Sequence, residues 1–166
     1  VYKEIIQIVL RRFSKKPPIH DYSLAPILFL LRQYIELQLK GIIIYKARSP
    51  KILGTHDIQR LYREAMKSVK ERYGTNRLGS PNEDAERFIF SLGDFDSRGE
   101  AFRYPETRRG EAFSDKIKGI DSWLYDKIST VSALSKIAKI VIGDLEGIEG
   151  YLDCMSNNEE ESYANL

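Results

Sequence analysis

Three charged residues follow one another at intervals of four along the most apolar stretch of the chain: Arg32, Glu36 and Lys40. In a helix this spacing places them in one row on one face, where each ion pair contributes roughly a few tenths of a kcal/mol. The rest of residues 24–45 is apolar on most sides, which is typical of a helix buried within a bundle. Because charges on a buried helix require partners, the row is either a polar site or a plain salt-bridge row.

Histidine is scarce in this chain, with His20 and His56 the two examples, and this restricts proton-transfer chemistry to few places. His56 belongs to the segment Thr55-His56-Asp57-Ile58, where a helix is predicted to begin with Thr55 or His56 as its cap. At such a position a capping role is commoner than the role of a base. Asp57 falls in the first turn of that helix, where a negative charge is favourable. We keep His56 and Asp57 as candidate binding residues.

The segment between Gly93 and Gly110 is rich in aromatic and charged side chains. Four of them are further candidate binding residues: Arg103, Tyr104, Arg108 and Arg109. A tyrosine can stack on a base and arginines can hold phosphate, so this segment could bind RNA or a nucleotide. The alternative is a loop that is pinned to the bundle by burial of Phe102 and Tyr104.

We expect no metal or other cofactor, and we assign no catalytic residue. Cys154 is the only cysteine, which excludes a thiolate zinc site within one chain. Asp94 and Asp96 could together bind a divalent cation, but turn and capping roles are commoner for such residues. Trp123 is interpreted as a packing or interface residue.

Apolar residues recur at intervals of three and four in several segments that begin with capping residues, and no segment alternates with a period of two. This predicts an all-α fold: an antiparallel bundle of four to five helices with a long irregular loop before the last helix. Ser80, Pro81 and Glu83 suit a capping box at the start of one helix. The last helical stretch is expected to begin near Ser114.

The domain organisation follows from the same pattern. Residues 1–156 are predicted to form a single helical-bundle domain, and residues 157–166 a flexible acidic tail. Within the last helical stretch, Gly143, Gly147 and Gly150 predict a bend or a break, since glycine disfavours helix interiors.

Composition narrows the classes of protein further. The chain has 166 residues, of which 42% are apolar, and a formal net charge of +2. That charge is too small to identify a nucleic-acid binder by itself, although lysine and arginine cluster locally. The charges at Arg32, Glu36 and Lys40 interrupt the most apolar stretch, so we expect no membrane span. The single cysteine leads us to expect a cytoplasmic protein.

The order of these motifs resembles the HEPN superfamily (higher eukaryotes and prokaryotes nucleotide-binding domains), in particular bacterial or archaeal members of unassigned role. The resemblance covers roughly residues 22 to 153. Four pieces carry it: the central helix LRQYIELQLK at 31–40, the helix start at 55–58, the loop at 94–98 that runs into Phe102-Arg103-Tyr104-Pro105, and the closing long helix.

The resemblance implies a helical bundle that often dimerises and that acts in toxin–antitoxin, phage-defence or RNA-processing systems. Active members of the family are metal-independent ribonucleases, with an arginine, four to six intervening residues and a histidine near the last core helix. This chain departs from that motif. Seven residues, including Pro50 and Gly54, separate Arg48 from His56, and no histidine follows His56. The resemblance therefore implies a member without the nuclease motif.

Three hypotheses result. The first is a non-catalytic HEPN-like binding or interaction module that forms a homodimer through its central and last helices and binds RNA, a nucleotide or a partner protein. The second is a metal-independent ribonuclease with a non-standard site near Arg32, Glu36, His56, Arg103 and Tyr104. The third is a structural homodimer without a ligand.

Overall fold

A computed structural model describes residues 1–13, 24–46, 54–74, 81–97, 99, 102 and 119–164. These residues form helices and connecting turns, with no β-strand among them, so the predicted all-α bundle is confirmed. The helices are α1 (Tyr2–Phe13), α2 (Leu24–Gly41), α3 (Ile58–Tyr73), α4 (Glu83–Phe95), α5 (Ser122–Ile128) and α6 (Val131–Ala164), and a π-helical segment (Ile42–Lys46) extends α2.

Helix α2 is the central element of the bundle, and it packs against α1, α3 and α6. Its apolar side chains are buried on more than one side, as its composition predicts. Those that are fully enclosed include Ile27, Leu28, Leu31, Ile35 and Leu39. Leu37 is the large apolar residue that α2 leaves exposed. The other helices of the same chain therefore cover most of the apolar surface of α2 through which a dimer was expected to form. The homodimer stays a prediction.

Side-chain contacts fix α1 and α3 on their neighbours. Lys3 near the start of α1 pairs with Glu146 of α6 at 2.6 Å. Gln59 at the start of α3 likewise donates to Asp94 near the end of α4. The start of α3 and the end of α4 thus meet at one place along α2.

Two predicted caps differ from those in the structure. Asp57, rather than Thr55 or His56, is the N-cap of α3, and its side chain accepts from the backbone N–H of Arg60. Asn82 is the N-cap of α4, so the predicted capping box with Pro81 as the first helical residue and Glu83 as the third is wrong. Ser80 lies outside the described residues. A carboxylate or amide two or three residues before a free N–H satisfies the helix end equally well, and sequence alone does not choose among neighbouring capping residues.

The predicted break at the glycines of the last helix is also wrong. Helix α6 continues through Gly143, Gly147 and Gly150, and the break falls earlier, at Ser129–Thr130, between α5 and α6. All three glycines are exposed, with nothing within 4 Å of the position that a Cβ would take. Each costs the helix about 1 kcal/mol relative to alanine, and the burial of apolar residues on the opposite face outweighs that cost.

Helix α6 extends to Ala164 and so includes most of residues 157–166, which we predicted to be a tail. Flexibility of those residues stays a prediction. Among the described helices, none combines the length and the apolarity that a membrane crossing requires.

Candidate functional site

Arg32 is the centre of a buried polar cluster that joins three segments of the chain. Its side chain is 2% exposed. Within its own helix it pairs with Glu36, Nη1 to Oε2, at 3.2 Å. From other segments it contacts the Asp96 carboxylate at 3.2 Å, and it donates to the backbone carbonyls of Asp96 and, at 2.6 Å, of His56. The guanidinium is thus used inside the protein, where it fixes α2 to the start of α3 and to the end of α4.

Glu36 connects the buried Arg32 to two side chains that lie nearer the surface. Besides Arg32, it accepts from Lys40 Nζ at 2.8 Å and contacts Nδ1 of His56 at 2.9 Å, both through Oε1. Burial would raise the pKa of Glu36, but the hydrogen bonds and charges of Lys40 and His56 outweigh burial and lower it below its usual value. Glu36 is therefore a carboxylate at neutral pH.

Exposure increases steadily across the cluster. The side chains of Arg32 and Glu36 are almost completely enclosed, Lys40 is 17% exposed, and His56 is 57% exposed. Since Nδ1 of His56 faces Glu36, its other ring nitrogen lies on the opposite edge of the imidazole. The buried carboxylate thus holds a cation and an imidazole at the surface, where a ligand could meet them.

The segment after α4 packs directly on Arg32. Asp96 caps the C-terminal end of α4, and Gly99 follows with a φ of +72°. A Cβ at Gly99 would lie 2.7 Å from Nη1 of Arg32, so both the backbone conformation and the close approach require glycine there. Phe102 is buried, with its ring centre 5.2 Å from that of Phe95. Gly99 therefore packs on the cluster, and Phe102 packs on the end of α4.

The structure brings together four of the predicted site residues: Arg32, Glu36, Lys40 and His56. Asp57 lies beside them, but its side chain is engaged as the cap of α3. The other four, Arg103, Tyr104, Arg108 and Arg109, lie outside the described residues. The members of the charged row form i,i+4 pairs and also bind distant segments, and their role as a binding site stays a prediction.

Asp96 is a member of the cluster that sequence reasoning missed. We considered it for cation binding or for a turn, whereas its carboxylate and carbonyl are partners of Arg32. Asp94 points elsewhere and accepts from Gln59 at 2.6 Å. Among the described residues no group of three or more histidine, cysteine or acidic side chains could hold a metal ion. The sequence indicated only that a buried arginine needs carboxylate partners, and this does not identify Asp96 as the second carboxylate.

Comparisons of the chain with models of known protein families, with curated proteins and with solved structures find no match. A function for this chain is therefore inferred from the arrangement of the site.

Proposed function

We propose that this chain is a HEPN-like module that binds single-stranded RNA, without cleaving it, at the surface formed by His56 and Lys40. The observation that carries the proposal is the buried Glu36 carboxylate, which holds both side chains at one surface. Buried ionic clusters cost free energy of desolvation, and residues arranged in this way next to the surface are common at functional sites.

The HEPN part of the proposal is supported by the way in which the resembling segments meet. Arg32 lies on the central helix, His56 belongs to the second segment, and Asp96 belongs to the third. Arg32 contacts both of the others through hydrogen bonds and an ion pair. Segments that carry a family resemblance and converge on one cluster are consistent with a shared architecture, although the fold alone defines no function.

The chemistry of the surface favours a phosphate-bearing ligand. The ammonium of Lys40 is a donor, the exposed imidazole of His56 offers a ring on which a base can stack, and helix α3, with Asp57 as its N-cap, begins two residues after His56. The chain continues from the buried Phe102 directly into Arg103, and Tyr104 offers an aromatic ring to stack on a base. A polymer with repeated phosphates and bases suits such a surface better than a single anion does.

The proposed lack of cleavage has its support in Arg32. The nucleases that this chain resembles use an arginine and a histidine near the last core helix, and no histidine follows His56 in this sequence. Beside His56, the guanidinium of Arg32 is enclosed and occupied by Glu36, Asp96 and a carbonyl, so it is not available to hold phosphate.

The test is fluorescence anisotropy with a labelled oligouridine of about 12 nucleotides, within the range of known single-strand site sizes. Wild-type protein should bind with a Kd that rises with salt. Lys40→Met and His56→Gln should each weaken binding by about fivefold, which is the scale of one charge-assisted contact for the lysine and of one stacked base for the histidine. Lys136→Gln on the exposed surface of α6 is the matched control and should change little. Absence of salt-dependent binding by the wild type would overturn the proposal.

A second candidate, ribonuclease activity, is favoured by the contact between Glu36 and Nδ1 of His56. A carboxylate at that nitrogen orients the ring so that the other nitrogen can take a proton from a ribose 2′-hydroxyl. Gel analysis of RNA incubated with pure protein decides between the two. Cleavage that disappears in His56→Ala would replace the binding proposal, and intact RNA would exclude this candidate.

A further inference from the structure

Cations and aromatic rings alternate across the surface of α3, α4 and α5. The guanidinium of Arg63 lies 4.7 Å from the ring centre of Phe90. On α5, Trp123 contacts two cations, Arg87 at 4.4 Å and Lys127 at 5.2 Å from the ring centre. Each pair is a cation–π contact of ordinary geometry. We refer to these five residues as the cation–aromatic row.

The row is continuous because of helix spacing. Arg87 and Phe90 are three residues apart on α4, so they are neighbours on one face. Trp123 and Lys127 are four apart on α5 for the same reason. Arg63 and Arg87 are exposed, and the other three side chains are partly exposed. The row therefore crosses three helices at the surface.

Helix α3 adds positive charge at one end of the row. Arg60, Arg63, Lys67 and Lys70 are all exposed, and their spacing places them on one face. The sequence of α6, in contrast, has two lysines and seven acidic residues. A chain with a net charge of only +2 thus separates its charges along different helices, and α3 is its positive side.

Carboxylates border the row on α4 and α5. Glu83 and Asp84, four and three residues before Arg87, share its face and offset part of its charge. Glu86 and Asp126 each precede a row cation by one residue, and neighbouring residues of a helix project about 100° apart. Asp94, one turn after Phe90, accepts from Gln59. On α3, Glu71 lies 3.8 Å from Lys67 and offsets part of its charge, which leaves Arg60, Arg63 and Lys70.

Alternation of cations with aromatic rings matches the chemistry of a single nucleic-acid strand. Bases stack on aromatic rings and on guanidinium planes such as those that lie over Phe90 and Trp123, while cationic groups meet the phosphates between the bases. An acidic peptide would use the cations and leave the rings without a role. An anionic membrane would favour protruding apolar side chains, whereas Phe90 and Trp123 lie beneath cations.

We propose that the cation–aromatic row binds a single-stranded RNA whose continuation reaches His56. This inference rests on the function proposed above and extends it by a second contact surface. Arg63 lies seven residues after His56, about 10 Å along α3. Between them Gln59 donates to the backbone carbonyl of Phe90 at 2.8 Å, so the row and the His56 surface are held in one rigid arrangement.

Trp123 gives a direct readout, because it is the only tryptophan of the chain. Titration of wild-type protein with unlabelled oligouridine should quench its fluorescence saturably, with the same Kd as that from anisotropy. Binding that leaves Trp123 fluorescence unchanged would overturn the proposal. Quenching of equal size by a poly-glutamate peptide or by anionic phospholipid vesicles would also overturn it, in favour of a surface for those partners.

A matched pair of triple variants tests the charges. Arg63→Gln/Arg87→Gln/Lys127→Gln should raise the Kd at least tenfold at about 0.1 M salt, and reduce the salt slope by about 2, since each lost phosphate contact removes about 0.7. Arg12→Gln/Lys136→Gln/Lys139→Gln removes equal charge from exposed positions elsewhere and should change the Kd less than twofold. Circular dichroism verifies that both variants are folded.

The two proposals fail in different ways. Equal weakening by both triple variants, or none by the first, would overturn the row even where His56→Gln weakens binding. Loss of binding in the row variant with no effect of His56→Gln would support the row and remove His56 from the proposed function. A wild type that binds no RNA overturns both.

Discussion

Arginine occurs in two contrasting settings in this bundle. Arg32 is enclosed among carboxylates and backbone carbonyls, whereas Arg63 and Arg87 lie on aromatic rings at the surface. The first setting engages all three guanidinium nitrogens inside the protein and therefore stabilises the fold. The second covers one face of the group and leaves its edges to solvent, where phosphate could replace water. The same side chain thus holds the site together in one region and is available to a ligand in the other.

The largest expected difference between the two settings is in stability. Arg32→Met should lower the free energy of unfolding by about 3–5 kcal/mol, because it leaves Glu36 and Asp96 enclosed without their cation. Arg87→Gln should change it by less than about 0.5 kcal/mol, as exposed substitutions do. Urea unfolding of both variants measures this. Losses of similar size would show that Arg32 contributes no more to stability than Arg87. Arg32→Lys tests whether a positive charge alone is enough to stabilise the cluster.

Gly99 tests how tightly the following loop is held on Arg32. Gly99→Ala places a Cβ against the guanidinium at a positive φ, and we expect a loss of about 1–3 kcal/mol. Gly147→Ala is the control, since this glycine is exposed in α6 and open around its Cβ position. That change should stabilise the protein by up to about 1 kcal/mol. Thermal unfolding distinguishes them, and an unaffected Gly99→Ala would argue against close packing there.

Acid should weaken the buried cluster and leave the exposed row intact. The folded-state pKa of Glu36 lies below its ordinary value of 4.5. Ionised Glu36 therefore stabilises the fold fully above that value, and this contribution disappears as the pH falls through the lower folded-state pKa. Unfolding measured from pH 6 to pH 3 should show a decline that is smaller in Glu36→Gln. Parallel profiles of the two proteins would contradict the assignment.

The smallest expected effect on stability concerns Asp144, whose ionisation should destabilise the fold, whereas ionisation of Glu36 stabilises it. Burial raises the pKa of this carboxyl, although a backbone hydrogen bond from Asn82 partly offsets it. A raised pKa means that stability is lost as the pH rises from the unfolded-state value through the folded one. Asp144→Asn keeps an acceptor for Asn82 and should raise stability at pH 7 by at most about 1 kcal/mol. A clear loss at pH 7 would show that the charge is needed.

Much of the fold could be predicted from sequence, because periodic apolar residues specify helices whatever their neighbours are. Helix ends were harder. At α4 two capping residues, Ser80 and Asn82, lie two positions apart and compete. In α6 the exposed glycines are tolerated because the opposite face is buried. Local propensity was a poor guide where packing decides the outcome.

The site was predictable in part. The charged row of Arg32, Glu36 and Lys40 was visible from its spacing, since charges on an apolar helix require partners. That His56 would contact Glu36, twenty residues earlier, depends on the path of a connection that no local pattern specifies. The carbonyls of His56 and Asp96 on Arg32 carry no sequence signal at all, because every residue has a backbone carbonyl. The cation–aromatic row was missed because its members lie on three helices.

The most direct test of the central claim, that Glu36 holds His56 at an RNA-binding surface, is NMR of the imidazole signals during titration with oligouridine. The chain has two histidines, so a His20→Gln variant leaves His56 as the single imidazole to observe. We predict that its resonances shift saturably with RNA, at a midpoint equal to the Kd from anisotropy. Imidazole resonances that stay in place while the RNA binds, or RNA that does not bind, would contradict the claim.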